Sequence, residues 1–210
     1  MTIQDAYTDW SATYDSDRNL TRDLDQHVAR QQLSAFRCRS ILEIGCGTGK
    51  NTALLASIGE HVHALDFSAG MIERAMTKVT APNVTFEIAD VTRQWPSRDQ
   101  SFDLTVCNLV LEHIAHLDFI FAEASRVLVK GGCFFICELH PFRQYLGTQA
   151  RFQRADDTKH IAAFTHHITD FTNAALANGL TLTEMKEWWH EADGGKPPRL
   201  ISFLFEKPHS

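Results

Sequence analysis

The stretch ILEIGCGTGK, residues 41–50, decides how this chain is interpreted. A short β-rich run, 41–44, leads directly into three glycines at alternate positions, and a helical pattern begins at residue 51. Glycines between a strand and a helix let the backbone approach a ligand closely, and the first turn of the helix offers free N–H groups. The sequence therefore predicts a ligand-binding loop at the end of the first strand.

Two nucleotide-binding motifs have similar glycine spacing, and neither fits. The dinucleotide motif G-x-G-x-x-G requires its third glycine at position 50, which is Lys50. The phosphate-binding motif G-x-x-x-x-G-K-[ST] needs one more residue between Gly45 and Gly49, and here Lys50 is followed by Asn51. The loop is therefore not predicted to hold a pyrophosphate.

Beyond the loop, strand-like and helical runs alternate along the chain. The strand-like runs cover 61–65, 84–89, 102–109 and 133–139. The helical runs cover 51–57, 69–78 and 117–129. Such alternation is typical of β-α-β units, and two final β-rich runs, 180–190 and 200–206, predict an antiparallel hairpin. We expect an α/β fold: a Rossmann-like, seven-stranded, mostly parallel sheet with an antiparallel C-terminal hairpin and an N-terminal helical cap.

The length of 210 residues is typical of one domain, and no repeat or linker divides the chain. We expect one domain over 1–210, made of a cap (1–39), a ligand-binding core (40–140), a lid and helix (141–178) and an edge hairpin (179–210). In the cap, a helix is predicted from about Leu20 with Thr21 as its N-cap. Residues 143–158 are predicted to form a lid or an inserted helix, and 164–178 a helix.

Composition excludes several kinds of partner. The formal net charge of −6, without a dense basic stripe, argues against nucleic acid. No apolar run approaches the ~20 residues of a membrane helix, and no secretory signal is recognisable, so no membrane partner is expected. The five cysteines are odd in number and form no C-x-x-C pair, which favours reduced thiols in a cytoplasmic protein. The sequence does not decide the oligomeric state, and a monomer and a homodimer are both retained as alternatives.

The loop and the residues around it resemble the class I S-adenosylmethionine-dependent methyltransferases, small-molecule subset. Glu43 stands two positions before the first glycine of G-x-G-x-G, and Asp66 lies 21 residues beyond Gly45 at the end of the second strand-like run. Further landmarks follow in the order of that family, at 66–71, 89–91, 102–108 and 127–132. The resemblance covers about residues 38–140 and is strongest to quinone-biosynthesis and malonyl-carrier O-methyltransferases. It implies S-adenosyl-L-methionine as cofactor and S-adenosyl-L-homocysteine as product.

The resemblance also implies a cofactor site. Asp66 would accept both ribose hydroxyls, Asp90 would accept from the adenine amino group, and the backbone at 45–49 would leave room for the methionine portion. Tyr14 and Arg18 would close over the methionine end, with Arg18 pairing the carboxylate, although a solvated, capped helix start would also explain this arm. The expected cofactor residues are Tyr14, Arg18, Glu43, Gly45, Cys46, Gly47, Gly49, Asp66, Phe67, Met71, Asp90, Val91, Asn108 and Leu109.

The methyl acceptor is expected to be a small organic molecule with a reactive oxygen, nitrogen or carbon. The run NLVL, residues 108–111, lacks the Pro-Pro-aromatic pattern of amino-DNA methyltransferases, and there is little room for the extra elements of protein methyltransferases. Aromatic residues between 142 and 164 favour a flat or apolar acceptor. A general base would assist a phenol or carbon acceptor, and a histidine is suited to this by its near-neutral pKa. The candidates are His140, His113 and His166, the last beside Asp170 at helical spacing.

Other interpretations remain for these residues. His113 would equally serve to brace a helix, and His166 and His167 would form an ordinary polar helix start. His113 and His116 would hold a metal only with carboxylates on poorly matched faces, so no metal is expected. Three alternative functions are a non-catalytic S-adenosylmethionine-binding regulatory protein, a protein methyltransferase and a dinucleotide oxidoreductase, the last opposed by Lys50.

Overall fold

The computed structural model describes residues 3–11, 14–16, 19–148, 151–154, 157–161 and 163–209. It is built around a seven-stranded sheet with the order β3-β2-β1-β4-β5-β9-β8. These strands are β1 (Cys38–Ile44), β2 (Gly59–Asp66), β3 (Val84–Ile88), β4 (Phe102–Asn108), β5 (Leu128–Leu139), β8 (Thr181–Trp188) and β9 (Leu200–Glu206). Strand β9 runs antiparallel to both of its neighbours, while β1 to β5 are parallel. The predicted fold class is confirmed.

Helices cover both faces of this sheet. They are α1 (Ile3–Trp10), α2 (Leu20–Leu33), α3 (Thr52–Ile58), α4 (Ala69–Lys78), α5 (Asp118–Val127), α6 (Pro141–Tyr145) and α7 (Ile168–Ala177). None of the helices in the described part of the chain has both the length and the apolar character needed to cross a membrane.

The central strands are apolar throughout because helices pack on both of their faces. On one face, α5 and α7 bury an aromatic cluster in which the ring of Phe121 meets Phe134 and Phe205 edge-on, each with ring centres 5.4 Å apart. On the other face, Val28 and Leu33 of α2 pack with Ile41 and other side chains of the sheet. The two cores fix the sheet between helices, so the loops at its edges are held in defined positions.

Several predicted boundaries were wrong for local reasons. Helix α2 is capped by Asn19 rather than Thr21, because the Asn19 side chain accepts hydrogen bonds from the backbone N–H groups of Thr21 and Arg22 at 3.0 and 3.1 Å. Helix α7 begins at Ile168 and not near residue 164, since His167 and Asp170 form a capping box there. Residues 143–158 do not form one inserted helix. They hold the end of α6 and part of a two-stranded antiparallel ribbon of β6 (Arg151–Arg154) and β7 (Asp157–His160).

Strand β5 also begins earlier than predicted, at Leu128 rather than Cys133. It pairs in parallel with β4, so that Asn108 lies opposite Cys137. The carboxyl ends of β1, β2, β4 and β5 therefore meet along one edge of the sheet. This carboxyl edge carries the loops in which the sequence places its candidate ligand-binding residues.

Candidate active site

The glycine loop follows β1 and takes backbone conformations that favour glycine. Gly45, Gly47 and Gly49 have φ angles of +70°, +53° and +79°. At Gly45 the space is also filled, because a Cβ atom there would lie 2.2 Å from Cγ2 of Val110. Glycine is thus required at position 45 by both conformation and packing. This lets the loop turn sharply over the carboxyl edge.

Asp66, the last residue of β2, ties this loop to the next one. Its Oδ2 accepts the backbone N–H of Gly47 at 2.9 Å, and its Oδ1 accepts that of Ser68 at 2.8 Å. The carboxyl group is almost fully buried, and burial raises its pKa to about 6. Each oxygen retains a second lone pair, so the side chain is able to accept two further hydrogen bonds.

A cleft of about 350 Å³ opens beside this carboxylate. One wall is the glycine loop and the ends of β2 and β4, and the opposite wall is α1. Helix α1 is held there by Gln4, which donates to the carbonyl of Phe67 at 2.6 Å, and by Thr8, whose hydroxyl lies 3.1 Å from that of Ser68. The predicted cofactor residues that line the cleft are Tyr14, Gly45, Gly47, Asp66, Phe67, Met71, Asp90, Val91, Asn108 and Leu109.

The other predicted cofactor residues lie elsewhere. Glu43 and Cys46 line a small cavity of about 50 Å³ that adjoins the cleft and shares Gly45, Gly47 and Asn108 with it. Gly49 lines a separate groove, towards α2 and α4, and not the cleft. Arg18 lies outside the described residues.

Carboxyl groups are concentrated beneath the cleft. Glu43, Glu112 and Glu138 are buried, and burial raises their pKa values to about 8, 7 and 8, respectively. Glu138 accepts the backbone N–H groups of Val110 and Leu111, both at 2.9 Å, and so fixes the turn after β4. A bound cation would be favoured here, because it would stabilise the ionised form of each neighbouring carboxyl group.

His113 reaches the same cleft from the turn after β4. Its Nε2 lies 2.7 Å from the hydroxyl of Tyr7 on α1, and the two rings meet edge-on with centres 5.4 Å apart. A carboxyl oxygen of Glu112 is 3.9 Å from the same nitrogen. Burial raises the pKa of Tyr7 well above its usual value, so its hydroxyl stays protonated at neutral pH. The cleft thus contains a hydrogen-bonded tyrosine–histidine pair.

The geometry disfavours the other two candidate bases. His140 is fully buried and caps α6: its Nδ1 accepts the N–H of Phe142 at 3.1 Å, and its Nε2 lies 3.0 Å from Glu187. Both ring nitrogens are therefore engaged outside the cleft. His166 is buried as well, and its Nε2 lies 3.1 and 2.8 Å from the carbonyls of Leu111 and Ile114. It braces the turn that carries His113.

The structure also differs from the prediction of a His–Asp pair at the start of α7. Asp170 accepts the backbone N–H of His167 at 2.7 Å, as part of the helix cap, and so does not orient a catalytic imidazole. The side chain of His167 contacts the Tyr145 hydroxyl instead. Among the described residues, no group of three or more His, Cys, Asp or Glu side chains is placed to hold a metal ion.

Sequence reasoning missed two charged residues of α2 that border the site. Arg22 is buried, stacks 4.0 Å from the ring centre of Tyr14 and lines the small cavity that adjoins the cleft. Asp25 lines the same cavity and accepts from the side chains of Asn51 and Asn108 at 2.8 and 2.6 Å. Both continue the buried stripe of α2, which also includes Ala29 and Leu33. The sequence signal for both residues was a charged side chain at a position where the helical periodicity of α2 predicts burial.

Comparison with known proteins agrees with this geometry. A family model described as a methyltransferase domain matches residues 42–136. The chain is 25% identical over 169 residues to the demethylmenaquinone methyltransferase of Tropheryma whipplei, covering 80% of this chain and 67% of that enzyme. It is 27% identical over 165 residues to the malonyl-[acyl-carrier protein] O-methyltransferase of Bacillus cereus, covering 76% of this chain and 60% of that enzyme.

A solved structure shares the fold over almost the whole chain. The N-methyltransferase NodS of Bradyrhizobium japonicum, crystallised with S-adenosyl-L-homocysteine, superposes with a TM-score of 0.74 at 20% identity and covers 99% of this chain and 100% of its own. Together with the family match, this agrees with the loop, the strand order and the acidic strand end described above. Residues 42–136 thus match a methyltransferase domain, and the whole chain is similar in fold to a methyltransferase crystallised with S-adenosyl-L-homocysteine.

Proposed function

We propose that this enzyme transfers a methyl group from S-adenosylmethionine to a small, flat or apolar organic acceptor, with the whole chain acting as one methyltransferase domain. The observation that carries the proposal is the single cleft in which the Asp66 carboxylate, the glycine loop and the Tyr7–His113 pair meet. Methyl transfer is an in-line displacement, so holding both reactants in one cleft contributes a large part of the rate.

Asp66 and Asp90 would bind the adenosyl group. The oxygens of Asp66 accept from the backbone N–H groups of Gly47 and Ser68, and the ribose hydroxyls would use the remaining acceptor capacity of the carboxylate. Asp90 lines the same cleft beyond the end of β3, and its carboxylate would accept from the adenine amino group. The residues present therefore fit the cofactor.

The methionine end would lie over the glycine loop, towards α2. Arg22 would bind the methionine carboxylate there, because a guanidinium matches a carboxylate with two parallel hydrogen bonds. Arg18, expected from the sequence for this role, is a second candidate. When bound, S-adenosylmethionine supplies an activated methyl group on a positively charged sulfur. The buried carboxyl groups of Asp25, Glu43 and Asp66 would stabilise that charge.

His113 would act as the general base for an acceptor that must lose a proton. In the tautomer in which the Tyr7 hydroxyl donates to Nε2 of His113, Tyr7 would pass its proton to that nitrogen and take a proton from the acceptor. Glu112, 3.9 Å from that nitrogen, would stabilise the resulting imidazolium. His140 and His166 would act only as structural supports of neighbouring turns.

The acceptor is inferred from the surface next to the cleft. Phe142, Tyr145 and Phe164 are exposed, and the backbone N–H of Phe164 donates to the carbonyl of Glu112 at 2.7 Å, one residue before His113. Exposed aromatic side chains at the mouth of a site favour a flat or apolar ligand. The relatives' names, which refer to a quinone precursor and a carrier-bound malonyl group, also support a small organic acceptor.

Calorimetric titration with S-adenosylhomocysteine and with NAD tests the cofactor. We expect S-adenosylhomocysteine to bind and NAD not to bind, and the reverse result would overturn the proposal. Incubation with methyl-labelled S-adenosylmethionine and a panel of phenols, quinols and aromatic acids then tests turnover. Labelling of at least one small molecule is expected. Tight S-adenosylhomocysteine binding with no labelled product would instead indicate a non-catalytic binding protein.

A further inference from the structure

A buried charge cluster lies on the carboxyl edge, on the β5 side of the cleft. Asp193, 1% exposed, is held in the turn between β8 and β9. Its Oδ2 accepts the backbone N–H of His190 at 2.8 Å and Nε of Arg199 at 3.1 Å, and its Oδ1 binds Nη2 of Arg199. The charge of Asp193 is thus matched by Arg199 in a two-pronged pair.

Arg143 is a second guanidinium on the same carboxylate. It is 7% exposed, and its Nη2 lies 2.7 Å from Oδ1 of Asp193. Both Nε and Nη2 of Arg143 lack a well-aligned hydrogen bond among the described residues, although Nη2 is in ion-pair contact with Asp193. Glu187, a carboxylate on the same edge, lies 3.0 Å from Nε2 of His140. Buried N–H groups without an acceptor are unfavourable, so this guanidinium is suited to bind a further acceptor group.

The charge cluster lies close to the cleft in which the acceptor is proposed to bind. Arg143 belongs to α6, directly after β5, and Arg199 precedes β9, where Leu200 pairs with Leu139. Nη1 of Arg199 also lies 3.1 Å from the hydroxyl of Thr21, at the start of α2. Strand β5 neighbours β4, whose end lines the cleft. The cluster is thus one strand away from the cleft, beyond the methionine end of the proposed cofactor site.

We propose that Arg143 binds an oxyanion of the methyl acceptor, a carboxylate or a phosphate; this rests on the proposed function and narrows its substrate class. The bound oxyanion accepts from the unpartnered Nε. Asp193 and Arg199 hold the guanidinium in position. Since Phe142 and Tyr145 on the same helix are exposed, the acceptor combines an aromatic or apolar body with this anionic group.

The test is an NMR titration of the enzyme saturated with S-adenosylhomocysteine. Benzoate and phenyl phosphate are the anionic probes, and benzamide is the neutral isostere of benzoate. We expect one of the two anions to bind more tightly than benzamide, and the tighter one identifies the oxyanion. In Arg143→Gln this anion should bind about 10- to 100-fold more weakly, as expected for loss of charge-assisted hydrogen bonds. Arg143→Lys, which keeps the charge, should lose less.

Arg37→Gln, on the surface before β1, is the matched control and should leave anion binding unchanged. The affinity for S-adenosylhomocysteine should stay within twofold in all three variants, so a failure of cofactor binding is recognised separately. Equal binding of benzamide and both anions, absence of anion binding to the wild type, or unchanged anion affinity in Arg143→Gln would each overturn the proposal.

Discussion

The two halves of the carboxyl edge are built differently. At the ends of β1 and β2, the cleft is shaped by backbone: glycines with positive φ, and one carboxylate that joins two loops. At the ends of β4 and β5, the edge is shaped by side chains that meet over long sequence distances, such as Arg143 with Asp193 and His166 with the turn at Leu111. The first half is the proposed cofactor site, and the second is the proposed acceptor site.

The charges of the two halves also differ. The cofactor half holds buried carboxyl groups with raised pKa values, including those of Glu43 and Asp66. The other half, where the acceptor is proposed to bind, holds the buried guanidinium of Arg143 as well as the carboxyl group of Glu138. A cationic cofactor and an anionic acceptor would each meet the opposite charge. Four variants test this division, beginning with the largest expected effect.

Replacement of Asp66 by alanine should remove most cofactor binding. Two charge-assisted hydrogen bonds to ribose, at about 1.5–3 kcal/mol each, would be lost, so the affinity for S-adenosylhomocysteine should fall on the order of 10²–10⁴-fold. Asp103→Ala is a matched control, because Asp103 also accepts two backbone N–H groups, those of Arg39 and Ser40, but at the opposite edge. Both variants should lose stability, and only Asp66→Ala should lose binding in calorimetry. Equal affinities in the two variants would refute the ribose assignment.

Replacement of His113 by alanine should lower kcat about 10²-fold or more, while the affinity for S-adenosylhomocysteine stays within a few fold. A general base acts on the acceptor and contributes little to cofactor binding. His63→Ala is the control, since His63 also pairs with a carboxylate, Glu87 at 2.9 Å, on the side of the sheet away from the acceptor half. Steady-state kinetics with an identified acceptor would provide the measurement. A kcat as high as that of the control would eliminate His113 as the base.

The sequence predicted the cofactor half better than the acceptor half. The loop at 45–49 and the acid at the end of β2 depend on local conformation and on strand alternation, and both leave clear patterns in the sequence. Tyr7 and His113 are 106 positions apart, and nothing in either segment indicates that they meet. Likewise, His140 at the end of β5 has the chemistry of a base, but its two nitrogens are taken by Phe142 and Glu187. Contacts of this kind depend on packing that the sequence does not reveal.

Replacement of Glu43 by glutamine should make the enzyme without cofactor less sensitive to pH. The folded-state pKa of Glu43 is about 8, above the ordinary value of 4.5, so the folded state holds the proton more strongly than the unfolded state. The free energy of unfolding therefore falls as pH rises from about 4.5 to about 8, by up to about 1.4 kcal/mol per pH unit for one such group. Glutamine can still accept from the Thr52 hydroxyl, which lies 2.6 Å from Glu43.

We expect Glu43→Gln to be more stable than the wild type at pH 8 by about 2 kcal/mol, with little difference at pH 5. Urea unfolding at several pH values measures this slope. Glu60→Gln, an exposed glutamate at the start of β2, should leave the slope unchanged. If Glu43→Gln keeps the wild-type slope of unfolding free energy against pH, Glu43 is ionised in the folded protein. Its pKa would then not be raised by burial.

Replacement of Tyr7 by phenylalanine should have the smallest effect, because the ring contacts with Trp10 and Phe67 remain and only the hydrogen bond to His113 is lost. One such bond contributes about 1 kcal/mol, so kcat should fall about 5-fold and its acid limb should shift with the pKa of His113. Thr183→Val on β8 is the control, since it also removes a hydroxyl with one hydrogen bond, to the carbonyl of Leu204 at 2.9 Å. A kcat lowered as much in Thr183→Val, or an unchanged pH profile in Tyr7→Phe, would mean that Tyr7 takes no part in proton transfer to His113.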